Sequence, residues 1–179
     1  MLTHAECIKQ YGSDYQIQKE IKSGRLFHVG KGVYSHDQHV PKLAILAYKY
    51  PKAILTMRNA FYYHGLTDVI PRSYDLATDR DAAKIPDRDV RQYFYPDNFL
   101  ADGAEKMDYK GYEIMVYNRE RMLIELLRYK SKLPFDYYSE IIHSYREIVE
   151  HLDIRKVEDY AMASPKAARI LSTLQIEVM

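Results

Sequence analysis

Thr3-His4-Ala5-Glu6-Cys7-Ile8-Lys9-Gln10-Tyr11-Gly12-Ser13-Asp14-Tyr15-Gln16 holds two helix starts separated by one stop. Thr3 and Glu6 form a T-x-x-E capping box, whose hydroxyl and carboxylate satisfy backbone N–H groups that a helix start leaves orphaned. The helix it opens is predicted to reach Gln10 or Tyr11 and to stop at Gly12. Ser13 and Gln16 then form an S-x-x-Q box, opening a second helix that Gly24 ends. Downstream, Arg25-Leu26-Phe27-His28-Val29 and Val33-Tyr34-Ser35 flank Gly30-Lys31-Gly32, the pattern of a hairpin with a lysine at its tip. Two short helices, a tight turn and a basic hairpin are the parts that place one helix in a major groove. The expectation for residues 1–36 is a small winged helix-turn-helix head.

Within the second predicted helix, Ile17 and Ile21 are four apart and should face the first helix. Tyr15, Gln16, Gln18, Lys19 and Lys22 then occupy the outward arc. Gln pairs bidentately with adenine and Lys reaches guanine or phosphate, so this arc has groove-reading chemistry. Arg25 and Lys31 on the hairpin would take phosphates on either side.

Outward from the head the pattern changes. His36 to Val40 reads as a polar connector, and residues 41–179 as a second, mixed α/β domain. Pro41 suits the first turn of a helix reaching about Tyr50, with Leu43, Ile45, Leu46 and Ala47 on its buried face. Ala53-Ile54-Leu55 reads as a strand entering a helix over residues 56–64, ended by Gly65. Residues 73–78 and 90–95 alternate at period two, and residues 105–108 and 112–117 flank a Lys110-Gly111 turn; all four read as strands. From about Asn118 the chain becomes a helical tail. Met122, Leu123, Leu126 and Leu127 form a stripe, Pro134 breaks it, and Asp136, Asp153 and Ser164-Pro165 are expected to open three more helices. The fold class expected is α+β.

Composition bounds the function. The chain has 179 residues, 47% hydrophobic and 28% charged, with a net charge of +1, as a folded globular protein should. Residues 1–50 carry seven Lys/Arg against four Asp/Glu, for +3, leaving −2 on the remainder. The basic part is the predicted head, as phosphate contact requires. Eighteen tyrosines with no tryptophan read as compositional bias. No apolar run approaches the roughly 18 residues of a membrane span, and Met1-Leu2-Thr3-His4 lacks a signal-peptide pattern. The single cysteine, Cys7, excludes an internal disulfide and reads as a small core hydrophobe. A cytoplasmic protein is expected.

Catalytic signals are sparse: there is no Walker A loop, dinucleotide fingerprint or nucleophile elbow. His36 and His39 are three apart on a connector without a second ligand pair, so no zinc site is expected. His64, before Gly65, suits a hydrogen bond to the last carbonyls of its helix. One pattern supports a rival reading. Pro96-Asp97 followed by Asp108-Tyr109-Lys110 formally matches the PD…(D/E)-x-K arrangement of magnesium-dependent nucleases, in which carboxylates hold the metal and a lysine aids the attacking water. The simpler role of Asp108 and Gly111 is to build a hairpin turn. A third reading has the head contacting protein rather than DNA. The leading expectation is a non-enzymatic chain without cofactor or metal.

Several phrases beyond the head resemble a known family as a set. Gly24-Arg25-Leu26 with Gly32-Val33-Tyr34, Asn59-Ala60 leading to His64-Gly65-Leu66-Thr67-Asp68 and Pro71, and residues 116–122 with Glu125-Leu126-Leu127-Arg128 are similar in order and spacing to the abortive-infection (AbiEi) antitoxins of bacterial type IV toxin–antitoxin systems. Glu125 stands where that family usually has Asp, and Asn118 stands at the turn. The resemblance thins after Pro134. It implies an N-terminal winged helix that binds inverted repeats in its own promoter, repressing an operon shared with a nucleotidyltransferase-like toxin. It also implies a C-terminal domain that opposes the toxin without catalysis. None of the seven head positions is carried over from a family motif; five come from the outward face of the second helix, and Arg25 and Lys31 from the hairpin.

Overall fold

In the computed structural model, which describes residues 1–178 apart from the side chain of Asp97, the Thr3 box closes in both directions. The Glu6 N–H donates to Thr3 Oγ1 at 3.2 Å, and the Thr3 N–H donates to Glu6 Oε2 at 2.6 Å. Helix α1 (His4–Tyr11) follows and ends at Gly12, whose φ of 86° suits a residue without a Cβ. The Ser13 hydroxyl accepts the Gln16 N–H at 3.4 Å and opens α2 (Asp14–Lys22). The chain then forms a short sheet in the order β1-β3-β2, with β1 (Leu2–Thr3), β2 (Phe27–Gly30) and β3 (Val33–Ser35) antiparallel throughout. Strand β1, only two residues long, is not visible in the hydrophobic pattern. Cys7, Ile17 and Leu26 are fully buried between helices and sheet, with Leu2, Ile8, Tyr11, Ile21 and Tyr34 packed around them. Burial pushes the Cys7 thiol pKa up, as befits an inert core residue.

The chain divides into two compact units, the first comprising residues 1–51 and 108–113. This unit runs past the expected head boundary at residue 36 because α3 (Lys42–Lys49) belongs to it. Tyr48 on α3 donates to Glu6 Oε2 at 2.8 Å, so the same carboxylate that caps α1 also anchors α3.

The second unit holds a five-stranded mixed sheet in the order β6-β5-β4-β8-β7. Its strands are β4 (Ile54–Leu55), β5 (Tyr74–Asp79), β6 (Val90–Tyr95), β7 (Ala104–Tyr109) and β8 (Tyr112–Tyr117), with the β7–β8 turn grouped in the first unit. Strand β5 runs antiparallel to β4 and parallel to β6, pairing with β6 over six residues from Tyr74–Val90 to Asp79–Tyr95. The helices are α4 (Met57–Tyr63), α5 (Asp97–Leu100), α6 (Arg119–Tyr129), α7 (Phe135–Ile148), α8 (Ile154–Ala163) and α9 (Ala167–Glu177). Helix α6 is the hub, packed by α4, α8 and α9, and every residue from Arg121 to Leu127 is buried.

A helix buried all round has to neutralise any charge it carries. Glu125, with no exposed surface, accepts from Arg121 Nε at 2.9 Å, from Arg128 Nη1 at 2.7 and 2.9 Å, and from the Tyr95 hydroxyl at 2.9 Å. Arg121 also donates to the carbonyls of Phe99 (2.8 Å) and Asp102 (2.7 Å), with its guanidinium 3.6 Å from the centre of the Phe99 ring. Glu125 and Arg128, read in the sequence only as part of a family-like phrase, are two corners of this buried ionic core.

Two helix starts differ from expectation. Asp136 does not cap α7; it lies in the first turn, one residue inside Phe135. Ser164 closes α8 instead of opening α9: its N–H and hydroxyl both donate to the Ala161 carbonyl, and α9 begins after Lys166. A serine hydroxyl serves either end of a helix, so the Ser-Pro signal did not fix which. Asp153 caps α8 as expected, and Asn118, where the helical tail was expected to begin, caps α6. No described helix is long and apolar enough to cross a membrane.

Candidate nucleic-acid interface

Helix α2 presents one buried edge and one open face. Ile17 is buried and Ile21 half-buried against α1, while Tyr15, Gln16, Gln18, Lys19 and Lys22 are all exposed, Tyr15 at 75%. At about 100° per residue, Tyr15, Lys19 and Lys22 lie opposite the isoleucines, with Gln16 and Gln18 on the two flanks. The nine-residue helix is about 13 Å long, comparable with the ~12 Å width of a B-form major groove.

The carboxylates at the margins of this face are occupied. Asp14 Oδ1 lies 2.7 Å from His4 Nε2. Glu20 takes both arms of the Arg25 fork, Nε at 2.7 Å and Nη2 at 2.8 Å. These hydrogen bonds hold the Glu20 carboxyl below the usual carboxylate range and push the Arg25 pKa up. Arg25, expected from the sequence as a phosphate contact, is thus paired with Glu20 through both arms of its fork. Lys19, Lys22 and Lys31 carry no recorded ion pair among the described residues.

Lys31 sits in the two-residue link of the β2–β3 hairpin, with Gly30 paired to Val33 and the register shifting at Val29. Gly32 supplies the positive φ of 72° that closes the turn. Tyr34 stacks at 5.1 Å on His28 and at 6.2 Å on His4, and the Arg25 carbonyl is 2.9 Å from His36 Nδ1. Sequence reading weighed His36 only as a zinc ligand and gave His4 and His28 no role; the three tie the hairpin, α1 and the following loop together. No periodicity marks them.

No protein-family model matches the chain, and no curated protein is similar to it.

The residues of the rival nuclease pattern fall into different settings. The side chain of Asp97 lies outside the described residues. Asp108 Oδ1 accepts the Gly111 N–H at 3.3 Å, Lys110 adopts a left-handed φ of 55°, and its ammonium lies over the Tyr109 ring. This is the hairpin-turn role. Asp97 belongs to the second compact unit and Asp108 and Lys110 to the first. No group of three His, Cys, Asp or Glu suited to a metal occurs among the described residues.

A carboxylate given no role in the sequence reading is buried in the second unit. Asp75 on β5 has no exposed surface; its Oδ2 accepts the Arg58 N–H at 3.1 Å, and its own N–H donates to the Asn59 side chain at 2.7 Å. Oδ1 has no partner. Burial raises the Asp75 pKa against the opposing pull of the Arg58 N–H and of the Arg58 and Arg91 charges. Met57, beside it at the start of α4, is held at φ 45°. The group fixes α4 to the sheet. His64 at the far end of α4 donates to the Tyr117 carbonyl at 2.6 Å rather than to its own helix, and burial lowers its pKa, keeping it neutral.

Proposed function

We propose that the protein is a cytoplasmic, non-enzymatic, sequence-specific DNA-binding transcriptional regulator that represses its own promoter. The observation that carries this reading is the open face of α2, with two unpaired lysines, two glutamines and a tyrosine beside a lysine-tipped hairpin. The order β1-α1-α2-β2-β3 and the antiparallel sheet β1-β3-β2 support describing the head as a winged helix. In this reading α2 is the recognition helix and the hairpin is the wing. Lys19, Lys22 and Lys31 supply the phosphate attraction, and Gln16 and Gln18 the base discrimination. Arg25 contributes by neutralising Glu20, which would otherwise set a negative charge at the edge of the face.

The few cations on one head give modest affinity. Two heads on inverted half-sites, through a dimer or cooperative monomers, supply the rest. The resemblance of residues 24–128 to abortive-infection antitoxins extends the proposal: the second unit opposes a nucleotidyltransferase-like toxin encoded with it, in phage defence.

A mobility-shift titration of the full chain on the DNA upstream of its own reading frame tests the regulator reading. A retarded, intact fragment is expected, lost on substitution of Lys19 and Lys22 by alanine with the far-ultraviolet circular dichroism unchanged. Equal retardation by that variant contradicts the assigned face. Cleavage of plasmid in the presence of magnesium would favour the nuclease reading instead.

A further inference from the structure

An open pocket of about 290 Å³, lined by the end of α6, the turn after it and the start of α9, is strongly basic, with Lys132, Lys166 and Arg169 exposed at its mouth. Arg128, Lys130, Lys132, Lys166 and Arg169 line it, together with Leu127, Ile170 and Thr173, and no carboxylate is among its lining residues. Two of the five cations are anchored from outside the cavity. Arg128 is held by Glu125, and Lys130 by Glu177. The other three, Lys132, Lys166 and Arg169, have no recorded anionic partner among the described residues, although the Lys132 ammonium lies 5.0 Å from the Tyr129 ring centre.

Lys166 occupies the left-handed region at φ 65°, an unusual conformation for a residue with a Cβ, immediately before the first turn of α9. Its carbonyl accepts the N–H groups of Arg169 and Ile170, which leaves the first N–H groups of the eleven-residue helix α9 without intrahelical partners beside the same cations. Bringing like charges together around one space is unfavourable, and a bound anion relieves the repulsion. The volume lies near the lower limit of small-molecule sites, roughly 300–1,000 Å³, which suits a compact ligand. Leu127 and Ile170 give its organic part an apolar wall.

The geometry points to a binding site for a small phosphorylated metabolite of nucleotide size, bound through Lys132, Lys166 and Arg169 at the start of α9. The site is separate from the α2 face and does not depend on its function. Isothermal titration of the full-length protein with ATP, AMP and inorganic pyrophosphate, paired with thermal melts, tests it. Saturable binding of ATP or pyrophosphate at one site per chain is expected, with a rise in melting temperature. The Lys166→Ala/Arg169→Ala double variant should weaken binding at least tenfold, and Lys132→Gln, at a separate lining position, should weaken it several-fold. Lys52→Ala, an exposed lysine outside the cavity, should leave it unchanged. Tighter binding of AMP than of pyrophosphate assigns contacts to the nucleoside, whereas the reverse assigns the site to the phosphates; both outcomes support it. Absence of saturable binding overturns the proposal, as does wild-type affinity in both the Lys132→Gln protein and the double variant.

Discussion

Lys19 and Arg25 are both cations of the head, yet their surroundings give them opposite roles. Lys19 is exposed and unpaired among the described residues, so if α2 binds DNA as proposed its loss should remove one phosphate contact and lower the salt slope of binding by about 1. Arg25 is held by Glu20. Replacing Arg25 by alanine should weaken DNA binding by leaving the Glu20 charge uncompensated, and adding Glu20→Gln should restore most of it. Fluorescence anisotropy on a promoter fragment separates this from direct phosphate contact, in which the second substitution gives no rescue. Asp75 supplies a pH signature of a different kind. Because its folded pKa is raised, the folded state holds its proton more tightly than the unfolded chain does. Its contribution is therefore fully present below the ordinary carboxylate pKa and is lost as pH rises through the raised value. Relative to wild type, Asp75→Asn should fare better at about pH 7.5 than at about pH 4.5 in urea unfolding. A pH-independent difference contradicts the raised pKa.

At the scale of single elements, the start of α1 and the whole of α6 show two ways of fixing a helix. Thr3→Ala removes half of a closed capping box and should cost about 1 kcal/mol, read as a lower urea midpoint. Glu125→Gln removes the charge that two arginines and Tyr95 share inside the second unit, and breaking a buried pair of this kind costs about 3–5 kcal/mol. A loss below about 1 kcal/mol would mean that the arginines find water instead. Gly103 reinforces the point. At φ 76°, a Cβ there would lie 2.5 Å from Arg121 Cβ, so the loop whose carbonyls accept from Arg121 requires glycine. The capping signals of α1, α2 and α8 were legible in the sequence because each is local, a side chain and a backbone group three residues apart or fewer. The Arg121–Glu125–Arg128 core was not, since Glu125 becomes buried only when β6, α5 and α6 are brought together. Short strands such as β1 are silent for the same reason: two residues carry no periodicity.

Considered as a whole, the molecule consists of two compact units, and the sequence supplied the first more completely than the second. The head boundary at residue 36 fell short because nothing local ties α3 to Glu6; Tyr48 does so across 42 residues. The outward arc of α2 could be read because helical spacing alone separates Ile17 and Ile21 from Tyr15, Lys19 and Lys22. What spacing left hidden was the pairing of charges, such as that of Arg25 with Glu20. The basic cavity beside α9 was hidden too, because its cations come from α6, the turn after it, and the start of α9. The account depends most on α2 being a DNA-reading surface. The most direct test is the salt dependence of affinity for the promoter fragment, measured by anisotropy on wild type and on Lys19→Ala/Lys22→Ala. The account predicts a linear fall of log affinity with log salt for wild type, and a slope shallower by about 2 for the double variant. Identical slopes for the two proteins, or a wild-type affinity indifferent to salt, would contradict it.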